Sequence, residues 1–216
     1  MNTKAVLTGE IVNFNGMEPS ERRVLQGTLD QIFKNLRSFG IVQNEVTEEG
    51  LLKVELENPV MALRMALLVR YGLAMSKPKD AEIWDVRLAI GLGKINSTLD
   101  IKSNEAGEAY SLSRRSLEAL PRAQGMIVTT PWDELNEEFA VSTLFVDHLV
   151  KRTTINQSEC MFHTLSTDQT QREIAVNLGK RPQTVNTQLM SAQYRPIEAY
   201  LNRFEKLVQR NTQVYG

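Results

Sequence analysis

The stretch QREIAVNLGKRPQTVNTQLM, residues 171–190, constrains the fold most, because it forces two helices to meet at a fixed corner. Ile174, Ala175 and Leu178 make one apolar helix face, and Gly179 stands where that helix ends in a left-handed turn. Lys180-Arg181-Pro182 form the corner, and Pro182 suits the first position of the next helix. The second helix keeps Val185 and Leu189 for packing and turns Gln183, Thr184, Asn186, Thr187 and Gln188 to solvent. Small Ala175 lets the two helices cross closely. A rod faced with short amides and hydroxyls, flanked by Lys and Arg, can lie in a DNA major groove and bond to base edges. The same pattern also serves a hairpin that only packs against its own domain or meets a protein.

Bulk properties narrow the class. A length of 216 residues suits one large domain or two small ones, and 42% hydrophobic with 24% charged residues is ordinary for a globular chain. The lone Cys160 excludes an internal disulfide framework and a Cys-rich zinc site. It sits beside Met161 and Phe162 and reads as a core thiol. No signal peptide is read at the start, and the most apolar segment, MALRMALLVRYGLAM, is interrupted by Arg64 and Arg70. The expectation is a cytoplasmic protein with no membrane span. Net charge is −1, but residues 153–216 carry a formal +2 and residues 1–152 a formal −3. That sign suits a C-terminal polyanion contact of modest strength.

Periodicity orders the rest. Residues 5–14 alternate as a strand. Pro19 and Ser20 open a helix with Val24, Leu25, Leu29, Ile32, Phe33 and Leu36 on one face, stopped by Gly40. Strands at 41–46 and 51–57 flank a turn at Glu48-Glu49-Gly50. Asn58-Pro59 launches a second helix to about Met75. Residues 77–80 and 96–107 read as loops, 84–95 as the longest strand, 108–120 as a third helix and 125–130 as a strand. Residues 131–152 read as a helical or mixed connector. Three short helices are predicted at 154–164, 168–178 and 183–194, with Pro196 breaking or kinking the chain. Beyond it, Ile197, Tyr200, Leu201, Phe204, Leu207 and Val208 form an apolar stripe fit for a core or for closing a dimer. The expected fold class is α+β. A ferredoxin-like domain with helices on one face of an antiparallel sheet spans 1–130, and an all-α helix-turn-helix domain spans 153–216.

Four segments stand in the order found in class III nucleotide cyclases and related diguanylate-type domains. LTGEIVNF resembles the first strand that ends in a metal-binding acid. EEGLLKVELENPVMALRMALLVR resembles the hairpin and helix that supply a second acid. DVRLAIGLGKI resembles the long strand written R-I-G-I-H-x-G, and GEAYSLSRRSLEAL resembles the helix carrying Asn and then Arg. A closer resemblance, over nearly the whole chain, is to the SatD-like bacterial family. Its members look like a TGDI start, an RGDSFQ-type hairpin, an R-x-x-I-G-x-G strand, a G-x-A-x-x-x-S-G-R-x-L helix and a C-terminal helix-turn-helix.

What the resemblance implies for the site is carried residue by residue. Glu10 takes the place of the first acid, usually Asp. The second acid falls at Gly50, which has no side chain to ligate, and Glu48 or Glu49 substitutes only by a shift of the turn. Ser111 stands where the family has Asn, and Arg115 matches the phosphate-pairing Arg. Arg114 replaces a small residue, and nothing matches the Lys that selects adenine. Two-metal chemistry on one acid lacks most of its charge stabilisation. Glu10, Ser111 and Arg115 therefore remain candidate ligand-binding residues, with no catalytic set, no metal site and no cofactor expected. Because cyclase-type domains assemble their site between two chains, the resemblance implies a homodimer.

The leading expectation is a DNA-binding regulatory protein whose N-terminal domain dimerises it or senses a nucleotide or other small molecule. Double-stranded DNA is the expected partner. Gln183, Thr184, Asn186 and Thr187 are candidates for base edges, and Lys180, Arg181 and Arg195 for phosphates. The alternatives are a nucleotidyl cyclase-type enzyme with a shifted metal site and a protein-binding adaptor. Walker and Rossmann glycine motifs are absent, and His148 and His163 lack metal-ligand spacing.

Overall fold

β1 (Thr3–Ile11) is the axis of the molecule. It pairs antiparallel with a strand on each side, so that Leu7 lies opposite Val54 on one flank and Ile90 on the other. The computed structural model describes residues 3–78, 82–95 and 107–215. Its single five-stranded sheet adds β2 (Ile41–Val46), β3 (Leu51–Leu56), β4 (Val86–Lys94) and β5 (Met126–Thr129), in the order β2-β3-β1-β4-β5. The first four strands are antiparallel and follow the βαββαβ plan; β5 joins β4 in parallel. The loops expected at 77–80 and 96–107 lie largely outside the described residues.

α1 (Pro19–Asn35) and α2 (Ala62–Met75) cover one face of the sheet, where Ala5, Leu7, Ile11, Leu88, Ile90 and Leu92 point. Val24 does not share the inner face of α1 and is 55% exposed, because it lies about a third of a turn from the centre of the Leu25–Leu29–Phe33 stripe. Asn58 caps the short 3-10 turn Pro59–Met61 that leads into α2, through its side chain to the Val60 amide at 3.1 Å.

The expectation of helices on one face alone needs correction. α3 (Glu108–Ala119) lies across the opposite face, where Ala89 packs with Leu117 and Leu120 in a small second core. The Thr8 and Ser113 hydroxyls bond across that contact at 2.8 Å. The reason is on β4. A Cβ at Gly91 would come within 2.2 Å of the Ala109 carbonyl oxygen, and one at Gly93 within 2.9 Å of the Ala109 nitrogen. Two missing side chains let the helix backbone sit directly on the strand.

The chain then runs through α4 (Asp133–Val150), α5 (Ile155–Ser166), α6 (Gln171–Asn177), α7 (Pro182–Ser191) and α8 (Tyr194–Tyr215). The connector is thus mostly one 18-residue helix. Pro196 does not break the last helix. It falls in the first turn of α8, where a missing N–H costs no bond, and Gln193 makes the preceding corner at φ 58°. The stripe Ile197, Tyr200, Leu201, Phe204, Leu207 and Val208 is buried inside the chain's own core. Phe139 of α4 meets Phe204 at 5.0 Å between ring centroids.

α2 is apolar nearly all round, so one sheet face cannot satisfy it. α5 and α8 close over its other side, and Arg64 reaches Glu205 of α8 at 2.8 Å. Buried residues from β1 to Val208 form one continuous cluster. Among the described residues, no helix is long and apolar enough to cross a membrane.

One charge lies at the centre of this packing. Arg70 of α2 is 1% exposed. Its Nη2 and Nε donate to Asp85 at 2.6 and 2.8 Å, and its Nη1 donates to Asp147 of α4 at 2.7 Å. The other Asp147 oxygen accepts from the Gly125 amide at 2.8 Å. Burial disfavours the guanidinium charge, but Asp85 and then Asp147 outweigh it and hold its pKa above the ordinary value. Asp147→Ala strips one partner from a buried cation, so a loss of about 3–5 kcal/mol is expected. Urea unfolding should report it as a lower midpoint at unchanged slope; an unchanged midpoint would mean the network carries no stability.

Candidate functional site

The corner between α6 and α7 is built by local chemistry. Thr170 accepts from the Glu173 amide while the Glu173 carboxylate accepts from the Thr170 amide, a capping box that starts α6. Just beyond α6 the chain turns at Gly179, φ 61°, where the Gly179 amide bonds the Val176 carbonyl and the Lys180 amide bonds that of Ala175. Arg181 is extended and Pro182 begins α7. Val185 and Leu189 turn inward and join the cluster that holds Ile174 and Ala175.

The outer face of α7 carries Gln183, Thr184, Asn186 and Thr187, all exposed. The Thr187 hydroxyl donates back to the Gln183 carbonyl at 2.9 Å, and the Asn186 amide nitrogen lies 3.6 Å from the Met190 sulfur. No hydrogen bond from these side chains to another element is present among the described residues. Arg181 is exposed at the corner, and Arg195 in the first turn of α8. Lys180 differs from them: its ammonium is ion-paired with Glu159 of α5. Sequence reasoning missed Arg172. It lines a groove of about 680 Å³ with Thr170, Gln171, Pro182, Gln183 and Asn186. The available signal was its place one residue after the α6 start, beside the corner.

Behind that corner lies a small titrating group. Cys160 is buried and its pKa is raised, chiefly by burial, which suits a core thiol rather than a nucleophile. Burial is also the largest influence on His163 and holds it below the ordinary value, with Glu159 opposing and Lys180 adding to the shift. A histidine depressed in the folded state favours the fold while neutral. Its contribution is complete above the unfolded value near 6.5 and is lost as pH falls below it. The melting temperature should therefore fall between about pH 7.5 and pH 5, and His163→Gln should flatten that dependence; an equal slope in both proteins would remove the role.

The N-terminal candidates are arranged differently. Glu10, near the end of β1, is paired with Arg87 of β4 at 2.8 Å. Arg87 also donates to the Leu120 carbonyl at 2.5 Å, closing the end of α3. Glu10 lines a cleft of about 750 Å³ with Glu21, Glu49 and Glu82, and among the described residues no Lys or Arg shares that lining. Glu21 accepts from the Trp84 indole at 2.9 Å and Glu82 from the Asn13 amide at 3.1 Å. The Thr47 hydroxyl, and then its own amide, hold the Glu49 carboxyl below the ordinary value.

Gly50 is closed to a second acid. It sits at φ 81°, and a Cβ there would lie 2.5 Å from the Phe14 ring. Ser111 and Arg115 lie on α3 and do not line the cleft, and no hydrogen bond or ion pair joins either to Glu10. Among the described residues no group of three or more His, Cys, Asp or Glu side chains is placed to hold a metal. A triphosphate entering this cleft meets four carboxylates, each already engaged within the chain. Incubation with ATP or GTP and Mn²⁺ should therefore yield no cyclic nucleotide; product that disappears in Glu10→Ala would reverse this reading.

No family model matches the chain, and no curated protein matches it. The solved structures to which the chain is similar include nucleotide cyclase domains. The non-canonical dimeric guanylyl cyclase domain of the RhoGC fusion protein from the aquatic fungus Blastocladiella emersonii is 12% identical, with a TM-score of 0.45 over 66% of this chain and 85% of that one. A bacterial light-regulated adenylyl cyclase is 15% identical, with a TM-score of 0.43 over 59% and 76%. The adenylyl cyclase CyaB from P. aeruginosa is 13% identical, with a TM-score of 0.41 over 59% and 76%.

Proposed function

We propose that the chain is a DNA-binding regulatory protein in which α6 and α7 act as a helix-turn-helix. The N-terminal sheet would serve dimerisation or the sensing of a small ligand. The observation that carries this is the orientation of α7: Val185 and Leu189 anchor it, while Gln183, Thr184, Asn186 and Thr187 stand in solvent. Amides held outward on a rigid helix are suited to bidentate contacts with adenine. Arg172, Arg181 and Arg195 are exposed around it and would meet phosphates, whereas Lys180 is occupied by Glu159. The resemblance to the SatD-like family, which rests on motifs alone, points the same way.

The test is an electrophoretic shift series across a range of salt, using the DNA upstream of the chain's own coding region. Three phosphate contacts per protomer imply a log–log salt slope of about −3 for one protomer and about −5 for a pair. Arg181→Ala should weaken all sequences alike and reduce the slope by about 1 per protomer. Asn186→Ala should cost about 1–3 kcal/mol on the preferred sequence and relax preference. If neither substitution changes retention, α7 is not a DNA-reading helix.

A second reading, a protein-binding adaptor, is favoured by two exposed apolar side chains on the same pair. Val176 is 79% exposed and Met190 67%. Under that reading Val176→Ser and Met190→Ser weaken partner binding and leave the salt slope untouched.

A further inference from the structure

α4 carries a seam that its own chain leaves uncovered. Phe139, Thr143, Val146 and Val150 pack inward. On the other side Val141, Leu144 and Phe145 are 58%, 53% and 69% exposed. They are spaced as neighbours on one helix face. Exposed apolar groups are commonplace singly, but three adjacent ones that include an aromatic mark an interaction surface. The residues that flank them along the same side are charged in opposite senses. Asp133, Glu134 and Glu137 are exposed at the start of the helix, and Arg152 just beyond its end.

From this pattern we infer that α4 is the surface on which two copies of the chain pair, antiparallel, about a two-fold axis at the level of Thr143. A seam that is apolar in the middle and oppositely charged at its two ends is complementary to itself when reversed. A two-fold interface uses one patch twice in this way. Under that symmetry Val141 meets Phe145 of the partner subunit, and Glu134 meets Arg152 of the partner subunit. The nineteen residues from Glu134 to Arg152 span about 27 Å, so both ends of the seam engage together. Parallel pairing would set acid against acid at one end and cation against cation at the other. The helix macrodipoles favour the antiparallel arrangement as well.

The surface is distinct from the acidic cleft around Glu10 and from the outer face of α7. Pairing there leaves both free, and the inference stands whether or not α7 meets DNA. It offers a pairing surface apart from the N-terminal sheet and from the α8 stripe, which is consumed by the chain's own core.

Sedimentation equilibrium of the 216-residue chain over a concentration series tests it. The native protein should show a reversible monomer–dimer equilibrium. Phe145→Glu changes an exposed residue, should keep the native circular dichroism spectrum, and should weaken the dimer about a hundredfold, since it removes an anchor from both symmetric halves. Glu134→Arg alone and Arg152→Glu alone should each weaken it several-fold to about tenfold, and the double swap should restore it. That restoration requires the antiparallel register and is not produced by a merely structural role of either residue. A native chain that stays monomeric throughout overturns the inference. So does a dimer indifferent to Phe145→Glu, or single-swap losses that the double swap fails to repair. DNA retention by the same variants is a separate readout: its absence in a dimeric protein sinks the proposed function and leaves this surface intact.

Discussion

Burial of the Arg70 guanidinium is the constraint around which the rest of the structure is arranged. A cation removed from water must be surrounded by acceptors, and each acceptor here comes from a different element. Asp85 precedes β4, and Asp147 belongs to α4 and in turn accepts from the amide that precedes β5. Gly125 leaves no room for anything larger, since a Cβ there would lie 2.6 Å from the Asp147 oxygen. Helix α2, two strand starts and α4 are therefore located relative to a single planar group. Because Asp147 must face inward, the side of α4 that bears Val141, Leu144 and Phe145 faces out.

The two candidate regions differ in how the fold treats their charges. Near the end of β1, the carboxylates are satisfied within the chain: Arg87 neutralises Glu10, Trp84 and Asn13 bond to neighbouring acids, and Phe14 occupies the space a second acid at Gly50 would need. Such a cleft is ordered and anionic and has little left to offer a metal–triphosphate. On α7 the reverse holds. The packing is done by Val185 and Leu189, and the polar groups keep most of their hydrogen-bonding capacity. A surface with unspent donors and acceptors on a rigid helix is where recognition is best placed.

Much of the architecture was readable from residue order. Period-two and helical repeats located nearly every element, Asn58-Pro59 marked a helix start, and Gly179 marked the corner. The parts that were not readable share one cause: their meaning depends on what lies across from them. Gly91 and Gly93 look like weak points in a strand until α3 is seen resting on them. Arg64 and Arg70 look like interruptions of an apolar helix until Glu205, Asp85 and Asp147 arrive from distant segments. Lys180 found Glu159, and Arg172 joined the groove beside Gln183, because each outcome was decided by a side chain on another helix.

Local chemistry, then, was the sequence's own contribution: alternation that makes strands, caps that begin helices, a left-handed glycine that turns the chain between α6 and α7, and the division of α7 into an anchoring and a polar side. These follow from backbone sterics and the period of each element, which need no tertiary partner. The tertiary structure alone decided that both faces of the sheet are covered, that α8 is spent on the core, that a second acid has no place beside Glu10, and that an apolar seam on α4 is left open. Those are outcomes of packing and of charge burial. Both depend on which surfaces meet, and a linear pattern does not specify that.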